Sequence, residues 1–208
     1  MRIDRFAYLV TLALTLPTVG QNISSSTLTL VVARLAESAT HSWELGTRAQ
    51  ALTELNAPLY SVLSPSASLP PPVSPPQPSG AFLEANLTDV LQIAKQTVVN
   101  MGIVGNSTFV ADPTPKPLVG NDGSSGDPAS LGAAVLLANW TFSALGSTTN
   151  GAGNGSVSQA EYAAAAEAQL RYLLEVVPRT SDGAISHRAN QAQLWCVKFP
   201  SQFKINPS

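Results

Sequence analysis

The stretch Ser158–Pro178, SQAEYAAAAEAQLRYLLEVVP, indicates the fold class of this chain most clearly. Serine followed three positions later by glutamate forms a capping box, and an alanine-rich run follows it. Proline at 178 ends the helical pattern. The residues expected to face the core recur at helical spacing: Tyr162, Ala166, Leu170, Leu173 and Leu174.

Three further segments have the same helical period. The first runs from Ser25 to Asn56, with an expected break at 40–42, and its apolar positions are Leu28, Val31, Val32, Leu35, Trp43, Ala49, Leu52 and Leu55. The second covers 84–101 and stops at Gly102, a residue typical of helix C-termini. The third is predicted to begin with Asp127 as the N-cap and Pro128 at the first helical position. No segment alternates convincingly with a period of two, so we expect an all-α fold.

Composition and the N-terminus point to a secreted globular protein. The 208 residues are 44% hydrophobic and 12% charged, with a net charge of -2 and no basic stripe, which argues against nucleic acid as a partner. Residues 1–20 carry arginines, an apolar run and a small residue, the order of a signal peptide. The apolar run is shorter than the roughly 20 residues that span a bilayer. We expect cleavage there, an extracellular location and no membrane attachment afterwards.

Glycosylation sequons and cysteine usage agree with this prediction. Acceptor sequons are predicted at Asn22, Asn86, Asn106 and Asn154, while a fifth, at Asn139, lies inside a helical pattern and is doubtful. The single cysteine, Cys196, excludes an internal disulfide framework. One cysteine and two histidines are too few for a zinc site, so we expect no metal or other cofactor.

The proline-rich run 64–80 favours polyproline II over helix or central strand. It is either a linker or a long surface loop between helices of one domain. We favour the loop, because the helical segment before it is too small to form a domain alone. A third reading makes it a ligand for an aromatic groove.

Three polar stretches are candidates for a binding site. DGSSGDP at 122–128 brings two aspartates to a glycine turn, where they either contact a ligand or only shape the turn and cap a helix. SDGAISHRANQAQLW at 181–195 holds His187, Arg188 and Trp195, which suit a carboxylated sugar, although an ordinary polar loop has the same composition. HSWELGTRAQ at 41–50 is read as structural, with a surface ion pair expected between Glu44 and Arg48.

Together, SWELGTRAQALTELNAP, DGSSGDPASLGAAVLLANWT, YAAAAEAQLRYLLEVVPRTSDGAISHR and QLW resemble secreted fungal six-hairpin glycosidase-like proteins. These are related to the unsaturated glucuronyl and rhamnogalacturonyl hydrolases, and the resemblance covers 25–195. It implies an (α/α)6 barrel, of which this chain would hold roughly the first half. Residues 21–195 would form the partial domain, and 196–208 would be an aberrant tail.

The resemblance also implies a chemistry. Such enzymes bind oligosaccharides ending in a 4,5-unsaturated uronic acid, and an aspartate protonates the vinyl-ether double bond before water adds. Asp127, His187 and Trp195 correspond to substrate-binding positions. The catalytic aspartate expected two residues after Trp195 is replaced here by Val197. No catalytic residue is therefore assigned, and we expect a truncated, inactive form of a glycoside hydrolase. The alternative is a non-catalytic secreted helical glycoprotein or carbohydrate-binding remnant.

Overall fold

The computed structural model describes residues 23–63, 80–145 and 156–193. These residues divide into two compact units, with the boundary between Ser38 and Ala39, and each unit is described separately. Several predictions fall wholly or mostly outside the described residues: the signal peptide 1–20, Asn22, the proline-rich run 64–80, Asn154, Trp195 and the tail 196–208.

Seven α-helices are present in the described parts of the chain. They are α1 (Ser25–Ser38), α2 (Ser42–Asn56), α3 (Gly80–Asn100), α4 (Ser107–Ala111), α5 (Gly126–Ala129), α6 (Gly132–Leu145) and α7 (Gln159–Arg171). A 3-10 turn, Pro58–Tyr60, follows α2, and a π-helical turn, Tyr172–Val176, continues α7. Within these residues there are two isolated β-bridges and no strand, which confirms the all-α class. No described helix is both long and apolar enough to cross a bilayer.

The described part of the first unit, residues 23–38, contains α1. The predicted helix and the predicted break before α2 are both confirmed, because α1 ends at Ser38 and α2 begins at Ser42. Within its own unit, α1 buries none of its residues, and Leu30 and Val31 are exposed. The apolar residues of α1 therefore do not form a buried core among residues 23–38 themselves.

The second unit is built around α3, which packs against both α2 and α6. One face of α3 is fully buried at helical spacing by Leu87, Val90, Ala94 and Val98. Helix α6 then packs against α7, where small alanines let the two helices approach closely. Gly102 ends α3 with a φ of 72°, in the left-handed region that glycine tolerates, as predicted.

The inward face of α7 differs from the prediction. Tyr162 is buried as expected, but the rest of the buried face is formed by alanines, a glutamate and a glutamine rather than by leucines. Leu170 and Leu174 are 55% and 50% exposed, so their assignment to the core was wrong. The buried side of α7 carries small residues, Ala164, Ala165 and Ala168, whereas Leu170 and Leu174 fall on the exposed side.

Candidate functional site

Two loops far apart in sequence meet through backbone hydrogen bonds. Ser124 and Arg188 form an antiparallel β-bridge. The Ser125 N–H donates to the His187 carbonyl at 2.8 Å, and the Ala189 N–H donates to the Gly123 carbonyl at 3.2 Å. This contact joins two of the three polar stretches chosen as candidates from the sequence, 122–128 and 181–195. We call residues 122–127 with 186–189 the loop junction.

Buried serines hold the loop junction together. The Ser125 hydroxyl donates to the Ser186 carbonyl and also lies 3.2 Å from the His187 carbonyl. The Ser186 hydroxyl accepts from the Arg188 and Gln193 N–H groups. Both serines are 1% exposed, so water competes little for their hydroxyls. The backbone at 186–188 is therefore held firmly.

The Ser124 hydroxyl lies between two of the three residues that the resemblance assigns to ligand binding, Asp127 and His187. It accepts from the Asp127 N–H at 3.1 Å. It also lies 3.5 Å from His187 Nε2 and 3.3 Å from the His187 carbonyl oxygen. One small side chain thus couples the position of Asp127 to that of His187.

Asp127 is not the helix N-cap that the sequence predicted. Helix α5 begins at Gly126, so Asp127 and Pro128 are its second and third residues and Ser125 precedes it. The helix ends at Ala129, and α6 starts again at Gly132. The capping acceptor is the Ser124 hydroxyl, not the Asp127 carboxylate. The Asp127 side chain is half-buried, and no hydrogen bond or ion pair from a described residue reaches its carboxylate.

Asp122, in contrast, is engaged inside the protein. Its carboxylate accepts from the Ser42 hydroxyl at the start of α2. The flanking residues Asn121 and Gly123 both have positive φ values, of 61° and 76°. Asp122 therefore has a structural role, since it fastens a tightly turned loop to α2. Of the two aspartates in this stretch, Asp122 bonds a side chain of the described residues, and the Asp127 carboxylate does not.

A close approach of backbone to ring fixes the space around His187. A β-carbon added to Gly126 would lie 3.3 Å from His187 Nδ1, which is tighter than an ordinary van der Waals contact. Glycine at 126 therefore allows α5 to lie directly against the imidazole. Arg188 follows His187 and is exposed. A carboxylate, an imidazole and a guanidinium are thus carried on adjoining backbone segments.

The start of α2 is structural, as the sequence suggested, but through different partners. Glu44 closes a capping box with His41, and its pKa is lowered to about 2, first by the backbone N–H groups of His41 and Thr40 and then by the His41 side chain. The predicted pair of Glu44 with Arg48 was wrong, because Arg48 bridges to Asp89 at 2.9 Å. Glu44 accepts hydrogen bonds from the backbone at the start of its own helix and forms no surface ion pair with Arg48.

Two carboxylates near the end of the described residues, Asp182 and Glu175, were further candidates for chemistry, and both have other partners. The Thr180 hydroxyl and then backbone N–H groups lower the pKa of Asp182, whereas a general acid needs a raised one. Glu175 pairs with Arg171 at 2.9 Å. Neither residue lies in the loop junction.

Sequence reasoning named two residues of the loop junction. It named Asp127 and His187, which the structure brings together, whereas Trp195 lies outside the described residues. It missed Ser124, Ser125 and Ser186, because serines in a polar loop have no periodic or motif signal. The Ser-Ser pair inside DGSSGDP was the only available hint.

The predicted glycosylation sites have different surroundings. Asn106 is exposed, and its side-chain oxygen accepts from the Phe109 N–H at 3.0 Å as the cap of α4. That bond leaves the amide nitrogen, where a glycan would attach, available. Asn86 lies within α3, and Asn139 lies within α6, which supports the doubt about the latter.

Within residues 23–63, 80–145 and 156–193, no three His, Cys, Asp or Glu side chains converge as metal ligands would. Comparison with known proteins identified no match among family models, curated proteins or solved structures.

Proposed function

We propose that this protein is a secreted glycoside-hydrolase-like protein of the six-hairpin type that binds oligosaccharides ending in a 4,5-unsaturated uronic acid. The observation that supports this most is the loop junction, where the Ser124 hydroxyl accepts from the Asp127 N–H and lies 3.5 Å from His187 Nε2. The described helices are compatible with part of an (α/α)6 barrel, and the barrel itself is part of the proposal.

The residues at the loop junction suit an acidic sugar. A guanidinium binds a carboxylate through paired hydrogen bonds, which is the role we give Arg188. The Asp127 carboxylate accepts hydrogen bonds from sugar hydroxyls, and His187 bonds a ring substituent. The serine hydroxyls already bonded to backbone keep these loops in place before the ligand arrives, which reduces the entropy lost on binding.

Binding without turnover is the expected behaviour of the chain as printed. The residue that the resemblance assigns to proton donation is Val197, and valine has no proton to transfer. Losing a general acid typically costs about 10²- to 10⁴-fold in rate. The non-catalytic, carbohydrate-binding alternative therefore describes the printed chain better than hydrolysis does.

The test measures binding of a 4,5-unsaturated uronyl disaccharide by calorimetry and follows the double-bond absorbance in parallel. We expect binding with no loss of absorbance. Asp127→Asn and His187→Ala should each weaken binding by roughly tenfold, the effect of losing about 1.4 kcal/mol.

Asp112→Asn is the matched control, because this aspartate is 87% exposed and makes only a long contact to Arg171 at 3.4 Å. It should leave affinity unchanged. The absence of binding by the folded protein would overturn the proposal, and so would equal affinity in the Asp127, His187 and Asp112 variants. Rapid loss of absorbance would contradict the non-catalytic reading alone.

A further inference from the structure

A cavity of about 360 Å³ lies in the second unit, between α2, the turn that follows it and the segment containing α5 and α6. Two aromatic side chains, Tyr60 and Trp140, line it, and we call it the aromatic cavity. Much of its remaining wall is glycine and alanine, which leave space between helices that larger side chains would fill. These small residues are Gly46, Ala49, Ala129, Gly132, Ala133 and Ala134.

One end of the aromatic cavity is fixed by a close contact between α2 and Ser130. A β-carbon added to Gly46 would lie 2.6 Å from Ser130 Cβ, so the helix and this serine already touch. The Ser130 hydroxyl donates to the Asp127 carbonyl at 2.6 Å, which holds the serine in place. The walls are therefore formed before any ligand binds, and this reduces the cost of binding.

The polar side chains on the walls differ in how they are bonded. Three of them donate hydrogen bonds within the protein: Gln50, Thr53 and Ser130. The Tyr60 hydroxyl and the Trp140 indole N–H have no hydrogen-bond partner among the described residues. The aromatic cavity thus has two donors that bonding within the described chain does not use.

Tyr60 carries the stronger indication of a ligand. It is 7% exposed, and a hydroxyl on a side chain buried this deeply normally has a partner. Burial raises the pKa of Tyr60, so the hydroxyl keeps its proton at neutral pH and remains a donor. The group that suits it is an acceptor, and a carbonyl oxygen is the commonest uncharged one.

The rest of the lining defines the other half of the ligand. Val62, Leu136 and Leu137 add apolar surface, and the Trp140 indole packs favourably against another aromatic ring. No charged residue is among the described residues that line the aromatic cavity, so a charged ligand would be buried without a counter-charge. The volume falls in the usual range for small-molecule sites and suits a single ring with a short substituent.

We propose that the aromatic cavity binds a small, uncharged aromatic compound whose carbonyl oxygen accepts a hydrogen bond from the Tyr60 hydroxyl and whose ring contacts Trp140. None of the residues that line this cavity belongs to the loop junction. The proposal therefore stands or falls independently of sugar binding.

The experiment titrates the isotope-labelled protein with acetophenone and follows the indole N–H signal of Trp140, which the Trp140→Phe variant assigns. We expect a saturable shift with a dissociation constant on the order of 1 mM, ordinary for a ligand of this size. A second probe, α-methylstyrene, has the same shape with a CH₂ group in place of the carbonyl oxygen. It should bind about tenfold more weakly, because it cannot accept a hydrogen bond.

Two variants locate the site. Tyr60→Phe removes only the hydroxyl, so it should weaken acetophenone binding by about tenfold and leave α-methylstyrene binding unchanged. Ala133→Leu places a larger side chain in the cavity and should abolish binding of both probes. Tyr172→Phe is the matched control, since this tyrosine does not line the cavity, and it should change neither affinity.

Thermal unfolding checks that each variant folds, and if Ala133→Leu does not fold, the comparison at Tyr60 decides alone. The absence of a saturable shift at Trp140 in the folded protein would overturn the proposal. Equal affinity for acetophenone and α-methylstyrene would overturn it too, as would a Tyr60→Phe variant that weakens both probes equally or neither. Undiminished binding in a folded Ala133→Leu variant would put the probes elsewhere, with the same consequence.

Discussion

Two polar clusters in the second unit use similar residues in opposite ways. At the start of α7, the Glu161 carboxylate accepts from Gly105 N–H at 2.5 Å, Ser158 N–H at 2.6 Å and the Ser158 hydroxyl at 2.9 Å. At the loop junction, the Asp127 carboxylate accepts nothing from the described residues. The first cluster satisfies its charge internally and holds two segments together, whereas the second is the one we propose for ligand binding.

The bonding of Glu161 is reflected in its burial and its pKa. Glu161 is 6% exposed, and although burial raises its pKa, the hydrogen bonds from Ser158 and Gly105 outweigh burial and lower it. Asp127 is half-buried. A bonded carboxylate such as Glu161 stabilises the fold, and we propose that Asp127 contributes to binding. Substitutions in the two clusters should therefore affect different measurements.

The largest expected effect comes from Glu161→Ala. It removes a capping box and leaves backbone donors at 105 and 158 without their acceptor, which should cost about 1–3 kcal/mol of unfolding free energy. Chemical denaturation measures it. Asp127→Ala should change stability by less than about 0.5 kcal/mol. Equal losses in the two variants would remove the distinction between the clusters.

Gly46→Ala should have the next largest effect. The added β-carbon would overlap the Ser130 side chain and lie 2.9 Å from its backbone carbonyl carbon, forcing α2 away from the segment that carries Asp127. Overpacking of this kind costs about 1–3 kcal/mol. Gly132→Ala is the matched control, since nothing lies within 4 Å of its added carbon. A melting temperature lowered equally by both would contradict the close approach of α2 to Ser130.

The pH dependence should separate the clusters further. Because the folded pKa of Glu161 is lowered, its contribution to stability is present above the ordinary carboxyl pKa and is lost as pH falls through the folded value. Glu161→Gln keeps a capping side chain without the charge. Its melting temperature should therefore fall less than that of the wild type between about pH 5 and pH 3. If the melting temperatures of the wild type and the variant fall in parallel over this range, the charge of Glu161 does not contribute to stability.

A smaller effect is expected from Ser125→Ala. The substitution removes the hydroxyl bonds to the carbonyls of 186 and 187 at a position 1% exposed, at a cost of about 1–2 kcal/mol. It touches no ligand, so it should weaken sugar binding by less than Asp127→Asn does. Calorimetry on both variants checks this order. A larger loss of affinity at Ser125 would make positioning, and not direct contact, the main source of binding.

Sequence alone predicted most of the helices, because their periodicity, caps and stops are local signals. The capping box Ser158–Glu161, the break before Ser42 and the glycine at 102 are all confirmed. It did not predict which face of α7 is buried, since that depends on the fit of alanines to α6. It could not predict that Arg48 pairs with Asp89, 41 residues away, because only the fold brings them together.

At the candidate site, too, residue types could be read from the sequence, and long-range contacts could not. Asp127 and His187 were chosen by residue type and resemblance. The residues that surround them are known only from the structure. The serines that join the loops make bonds across about sixty residues, and no local pattern reports such contacts.

The central claim is that the loop junction binds an acidic sugar, and amide chemical shifts test it most directly. Titrating the isotope-labelled protein with the unsaturated uronyl disaccharide should move the signals of residues 123–127 and 186–189, together with the His187 ring. Signals around Glu161 should stay in place, because its hydrogen bonds are already made. Shifts that avoid the loop junction, or that cluster around Glu161 and Gly105, would contradict the claim.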